Sequence, residues 1–85
     1  MNNDEEARAW EAAWEQFKAG FRRSQKDNLW REFDGKRVTV FRHRDGSYGW
    51  SITESNEGTH KVTYTSQRYR DQESATFALF EALGG

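Results

Sequence analysis

The chain is predicted to fold as a small α+β domain. An N-terminal amphipathic helix is followed by a three-stranded antiparallel sheet over about residues 36–44, 47–54 and 59–66, and a C-terminal helix over about 72–83 packs on one sheet face. Three observations predict it. Trp10, Trp14, Phe17 and Phe21 recur at helical spacing and draw one apolar stripe. Two β-rich runs, 37–43 and 48–53, flank Asp45-Gly46, a dipeptide that tolerates the positive φ angles of a tight antiparallel turn. Asp71 precedes a stretch with Ala75, Ala78, Leu79, Ala82 and Leu83 on one face and Gly84-Gly85 behind it, which are helix start and stop signals.

The first helix reads from 4 to 26, with Asn3 or Asp4 as its N-cap and an acidic first turn and basic last turn that suit the helix dipole. Gly20 weakens it by about 1 kcal/mol relative to alanine and marks where it can break. The stripe needs a partner, because four large aromatic side chains do not stay in water. It has three destinations: the end of the same core, a partner protein, or its copy in a second chain. Trp10, Trp14, Phe17 and Phe21 are therefore candidate partner or dimer-interface residues. A break is expected at 26–28. Leu29-Trp30-Arg31-Glu32-Phe33 is either a short helical turn or an extended entry segment that docks Leu29, Trp30 and Phe33 on the core, and Asp34-Gly35 is the next turn.

Centring the hairpin on Asp45-Gly46 pairs His43 with Tyr48, Phe41 with Trp50 and Thr39 with Ile52, which puts these six on one face. A five-residue loop over 55–59 then sets Ile52 opposite Val62 and Trp50 opposite Tyr64. The rings lie under the closing helix in this register. The open face carries Arg42, Arg44, Lys61, Ser51, Thr53, Thr63 and Thr65, with Val38 and Val40 as its aliphatics. Cations among hydroxyls on a twisted sheet suit phosphate and groove contacts, so Arg42, Arg44, Lys61, Ser51, Thr53 and Thr63 are the candidate residues for a nucleic-acid or protein partner. Alternatively, Phe41, Tyr48, Trp50 and Tyr64 form a base-stacking platform.

The 85 residues make one domain, 1–85, with a helical N-terminal segment over 1–28 and a β-β-β-α core over 29–85. The formal net charge of -1 conceals a division along the chain. Residues 1–17 are acidic, whereas 18–44 hold Lys18, Arg22, Arg23, Lys26, Arg31, Lys36, Arg37, Arg42 and Arg44. That block either attracts an anionic partner or pairs with the acidic first turn. The sequence pI of about 6.1 argues against a strong non-specific nucleic-acid binder. Cysteine is absent, which removes disulfides and thiol chemistry, and no apolar run is long enough for a membrane span, so a cytoplasmic setting is expected.

No catalytic motif stands out, and no catalytic, cofactor or metal residue is assigned. His43 and His60 are the histidines, and His60 with Glu54 falls short of a ligand set. The hydroxyls lack a nearby base, and Gly46 and Gly49 flank a hairpin tip and not a helix N-terminus, so neither a nucleophilic dyad nor a phosphate loop is expected.

From Arg37 to Leu83 the pattern resembles the YegP-like family of small bacterial domains. The resemblance rests on Arg44-Asp45-Gly46-Ser47-Tyr48-Gly49-Trp50-Ser51-Ile52, on Thr65-Ser66-Gln67-Arg68-Tyr69-Arg70, and on Ser74-Ala75 opening a helix. It implies a small antiparallel sheet with a helix across one face, and it implies no activity. The expectation is a non-enzymatic interaction domain that binds a protein partner or itself, of the kind found among phage and mobile-element accessory factors such as anti-CRISPR inhibitors. The alternative is a small nucleic-acid-binding domain that uses the basic open face.

Overall fold

The structure, a computed structural model, describes residues 3–24, 26 and 28–84. Among these residues the order is α1 (Asn3–Ala19), β1 (Arg22–Arg23), β2 (Leu29–Phe33), β3 (Lys36–Arg42), β4 (Tyr48–Asn56), β5 (Thr59–Tyr64) and α2 (Gln72–Ala82). The class is α+β as expected, but the sheet has five strands where three were expected. It is an antiparallel meander in the order β1-β2-β3-β4-β5, with both helices on one face. The break expected at 26–28 includes Asp27, which lies outside the described residues, and Asn3 and Asp4, expected as the N-cap, both lie within α1.

The first helix ends at Ala19 and not at 26, for a reason that lies in β2. The Arg31 guanidinium donates to the Phe17 carbonyl at 2.9 Å, an acceptor of the last helical turn, and at 3.3 Å to that of Gln16, which also accepts from the Gly20 N–H. Gly20 makes room for it, because a Cβ there would collide with the guanidinium. The chain turns at this point, and Leu29–Phe33, left open between helical turn and extended segment, is a strand. Leu29 and Phe33 pack against the core as expected, whereas Trp30 points to the opposite face.

The register of both later hairpins differs from expectation by one residue. Val40 stands opposite Trp50 and Val38 opposite Ile52, while Phe41 faces Gly49 and Thr39 faces Ser51. The loop explains it. The His43 N–H donates to the Ser47 carbonyl at 2.7 Å and the Gly46 N–H to the His43 carbonyl at 3.0 Å, which makes a three-residue loop over 44–46. Gly46 alone takes a positive φ, 89°, and Asp45 does not, as in a type I turn closed by a glycine bulge. The Asp45 carboxylate accepts from the Ser47 hydroxyl at 2.6 Å and the Ser47 N–H at 2.9 Å, and Arg68 reaches it at 3.1 Å. The other two glycine turns do close on two residues. Asp34-Gly35 (φ 52° and 76°) joins Phe33 to Lys36, and Glu57-Gly58 (φ 49° and 85°) joins Asn56 to Thr59. In place of the five-residue loop expected over 55–59, this tight turn sets Ile52 opposite Thr63 and Ser51 opposite Tyr64.

Side chains alternate across a strand, so one residue of slip exchanges the two faces. Val38 and Val40, expected on the open face, are fully buried beneath α2 with Ile52, Ala75, Leu79 and Phe80. Tyr48 and Trp50 pack against this core as expected. Tyr64, expected there too, is 68 % exposed on the other side.

The aromatic stripe of α1 is used within the chain. The Phe17 ring is buried, with ring centroids of Phe80, Phe21 and Phe33 at 5.0–5.1 Å, and Trp14 meets Phe77 and Phe80 at 5.3 and 5.4 Å. Trp10 caps the row against Phe77 at 5.5 Å and stays 39 % exposed. On α2 the buried positions are Ala75, Thr76, Leu79 and Phe80, while Ala82, expected to face the sheet, is exposed. The Thr76 hydroxyl donates to the Gln72 carbonyl at 2.8 Å, which accounts for a buried polar group.

Asp71 caps α2 as expected, accepting from the Ser74 N–H at 2.7 Å. Hydrogen bonds from the Ser74 hydroxyl and N–H, with the nearby Arg70 charge, hold its carboxyl below the ordinary aspartate range. A depressed folded-state pKa contributes stability that is present above the unfolded value and is lost as pH falls through the folded one. Asp71→Ala is expected to lower the melting temperature at neutral pH and Asp71→Asn to keep most of it, because the amide still accepts. The asparagine variant should also lose less stability than the wild type on acidification below the ordinary aspartate pKa. Parallel acid melting curves for the two would show that the carboxylate charge contributes nothing.

Candidate functional site

The two helices leave one face of the sheet uncovered, and the corrected register decides what that face carries. A single row crosses all five strands: Arg22, Trp30, Thr39, Ser51 and Tyr64, each opposite the next. The row beside it holds Glu32, Arg37, Thr53 and Val62, and on the other side Phe41 faces Gly49. Tyr64 and Val62, at 68 % and 52 % exposed, are bare to water.

Trp30 is bracketed by two cations. The Arg37 guanidinium lies 4.2 Å from the ring centroid and that of Arg22 at 5.9 Å. Arg37 stacks on Trp30 although Glu32 is its cross-strand neighbour, and among the described residues neither Arg22 nor Arg37 makes an ion pair. A guanidinium lying over an indole keeps N–H donors that an anion can still reach. A cleft of about 380 Å³ opens at this margin between Gly20, Arg22, Trp30, Arg31, Glu32 and Arg37.

Near the hairpin tip the face is floored by a ring. A Cβ built on Gly49 would come within 3.1 Å of two Phe41 ring carbons and 2.9 Å of His43 Nε2, so the Phe41 ring lies across the glycine backbone and buries it. Phe41 and His43 meet edge to face at 5.2 Å. Only a residue without a side chain admits this contact.

Charge follows the layers. The helices carry Asp4, Glu5, Glu6, Glu11, Glu15, Glu73 and Glu81 against Arg8 and Lys18, and a groove of about 660 Å³ along α2 has Asp71, Glu73 and Glu81 among its lining residues. Strands β1 to β3 carry Arg22, Arg23, Arg31, Lys36, Arg37 and Arg42, against Glu32. Within the basic block, Lys18 pairs with Glu15 and Glu73, and Lys36 pairs with Asp34. The Glu15 hydrogen bond, with that of Glu73, raises the Lys18 pKa.

The residues expected to share the open face are scattered. Ser51 and Thr53 are on it. Arg42, Lys61 and Thr63 stand on the helix side of their strands, and Arg44 lies in the hairpin loop. Sequence reasoning missed Arg22, Trp30, Arg37 and the exposure of Tyr64. The signal for two of them was in reach, because closing Asp34-Gly35 as a two-residue turn makes Trp30 and Arg37 share a face. His60, expected to face Glu54, is instead opposite Ser55, whose hydroxyl lies 2.9 Å from its Nδ1. Among the described residues no three histidine or carboxylate groups converge on a point that would hold a metal ion, and no helix is long and apolar enough to cross a membrane. Comparison of the chain with protein families, with curated proteins and with solved structures finds no match.

Proposed function

We propose that the chain is a non-enzymatic interaction domain that binds nucleic acid on the uncovered face of its sheet. The observation that carries this reading is the bracketing of Trp30 by Arg22 and Arg37 on a face where neither arginine has an acidic partner. Arginine so held meets a phosphate at little ordering cost. The net charge of -1 does not oppose this, because the field at a surface follows local charge, and β1 to β3 carry arginine and lysine against the one carboxylate of Glu32. The hydroxyls of Thr39, Ser51 and Thr53 add neutral donors and acceptors between the two ends of the face. A cytoplasmic setting and a role as a phage or mobile-element accessory factor belong to the same proposal. So does kinship with the YegP-like domains over residues 37–83; what supports these is the cysteine-free composition and the sequence pattern.

A second reading has its own observation. Every residue of β5 is exposed, and no strand lies outside it among the described residues, so it offers a free edge for antiparallel pairing with a second copy.

One experiment separates them. Fluorescence anisotropy with labelled oligonucleotides, at salt from about 50 to 200 mM, should show binding that weakens steeply with salt. The double variant Arg22→Ala, Arg37→Ala should bind at least about tenfold more weakly, with the logarithmic salt slope reduced by about one to two. Unchanged affinity and slope in the variant, or no salt-sensitive binding at all, overturns the nucleic-acid reading. Sedimentation of the same samples as a concentration-dependent dimer would then favour the free edge.

A further inference from the structure

We infer that the nucleic acid is single-stranded, and that its bases stack on Tyr64 and Phe41 while Arg22 and Arg37 hold its phosphates beside Trp30. The inference rests on the nucleic-acid reading above and adds which form is bound. Three features of the face select a single strand.

The first is the state of the rings. A tyrosine 68 % exposed on the edge strand β5 contributes little to this core, and the half-buried Phe41 ring lies against Gly49. Ring surface left outside a core is available to an unpaired base for stacking, and a paired, stacked base in a duplex cannot reach it. The second is the spacing. Trp30 and Tyr64 sit in one row separated by Thr39 and Ser51, three inter-strand steps or about 14 Å apart at ordinary strand spacing. Small side chains between two ring-bearing positions leave a shallow trough, and an extended strand of a few nucleotides lies along it more readily than a duplex. The third is the placement of charge. The arginines are gathered at the Trp30 end and not distributed on both sides of the trough, so one backbone is tracked and not two.

The hydroxyls of Thr39 and Ser51 lie between these anchors, within the stretch where base edges would run. Such a surface reads stacking more than sequence, because every base has a π-face.

The test is competition between forms of one oligonucleotide. A twelve-nucleotide mixed sequence is offered as single-stranded DNA, as single-stranded RNA and as the matching duplex, to the wild-type chain and to Tyr64→Ala, Tyr64→Phe and Phe41→Ala. Expected are tighter binding of one or both single strands than of the duplex, at least a fivefold loss with Tyr64→Ala, and retention with Tyr64→Phe. Tyr64 is exposed, so its alanine variant keeps the fold, and a circular dichroism melt superimposable on the wild type verifies this. If duplex and single strands bind equally and Tyr64→Ala changes neither, the single-strand inference is wrong while the nucleic-acid reading stands. If no form binds even at low salt, the reading beneath it is wrong as well. Equal binding of RNA and DNA supports stacking without ribose recognition, and a preference for RNA supports a hydroxyl contact to the 2′-OH.

Discussion

Phe17→Ala is expected to cost about 3–5 kcal/mol of folding stability, a large share of the roughly 4–13 kcal/mol that a chain of 85 residues usually holds. The ring is 2 % exposed and is where α1, α2 and β2 meet, with Phe80, Phe33, Phe21 and Trp14 around it. The Arg31 guanidinium, which closes the end of α1, also lies 5.4 Å from its centroid. Removing the ring opens a cavity at the junction of three elements and loosens the contact that stops the helix. Urea unfolding monitored by circular dichroism should give a midpoint well below the wild type, if a folded baseline survives at all. Trp10→Ala, at the exposed end of the same stripe, should cost less than half as much. A Phe17→Ala loss under about 1 kcal/mol would mean that the stripe is not buried within the chain and that its real partner lies elsewhere.

The second large effect tests the parity of β3. Val38→Asp is expected to abolish folding, because it places a carboxylate without a partner beneath α2 at a position with no solvent exposure, a penalty of several kcal/mol. Thr39→Asp, one residue along, should cost only about 1 kcal/mol, the span of strand preference at a solvated position. It stands opposite Ser51 on the uncovered face. Thermal melts of the two variants decide the matter directly. Were the aspartate tolerated at 38 and fatal at 39, the strands would pair in the alternative register, with the hairpin closed on Asp45-Gly46 alone.

The two results bear on function because everything proposed for the uncovered face depends on parity. In the alternative register Arg42, Lys61 and Thr63 would lie with Ser51 and Thr53 on the open side, and the rings would be core. In the observed one the cations on the face are Arg22 and Arg37, contributed by strands that the three-strand reading did not include. Leu29–Phe33 was hard to classify because it is short and three of its five residues are apolar, without the alternation of a half-buried strand. It becomes a strand by pairing with β3 across the Asp34-Gly35 turn and with β1 on its other edge.

The amino-acid sequence by itself determined the local features: an aromatic helix, turns at Asp34-Gly35 and Asp45-Gly46, a cap at Asp71 and a last helix that ends before Gly84. Each is set within a few residues, by side-chain spacing, by backbone freedom at glycine or by one carboxylate accepting a neighbouring N–H. Tertiary structure alone decided which side of the sheet is free. Asp45-Gly46 serves a two-residue turn and a three-residue loop equally well, and the choice inverts every side chain on the flanking strands. That choice fell to distant groups: Arg68 binding Asp45 at 3.1 Å, Tyr69 exchanging two backbone hydrogen bonds with Tyr48, and Val38, Val40 and Ile52 filling the space beneath Ala75 and Leu79. A two-residue period cannot be phased from within one hairpin. It is phased by what the second helix has to cover, and here that left two arginines, a tryptophan and a tyrosine on the uncovered face.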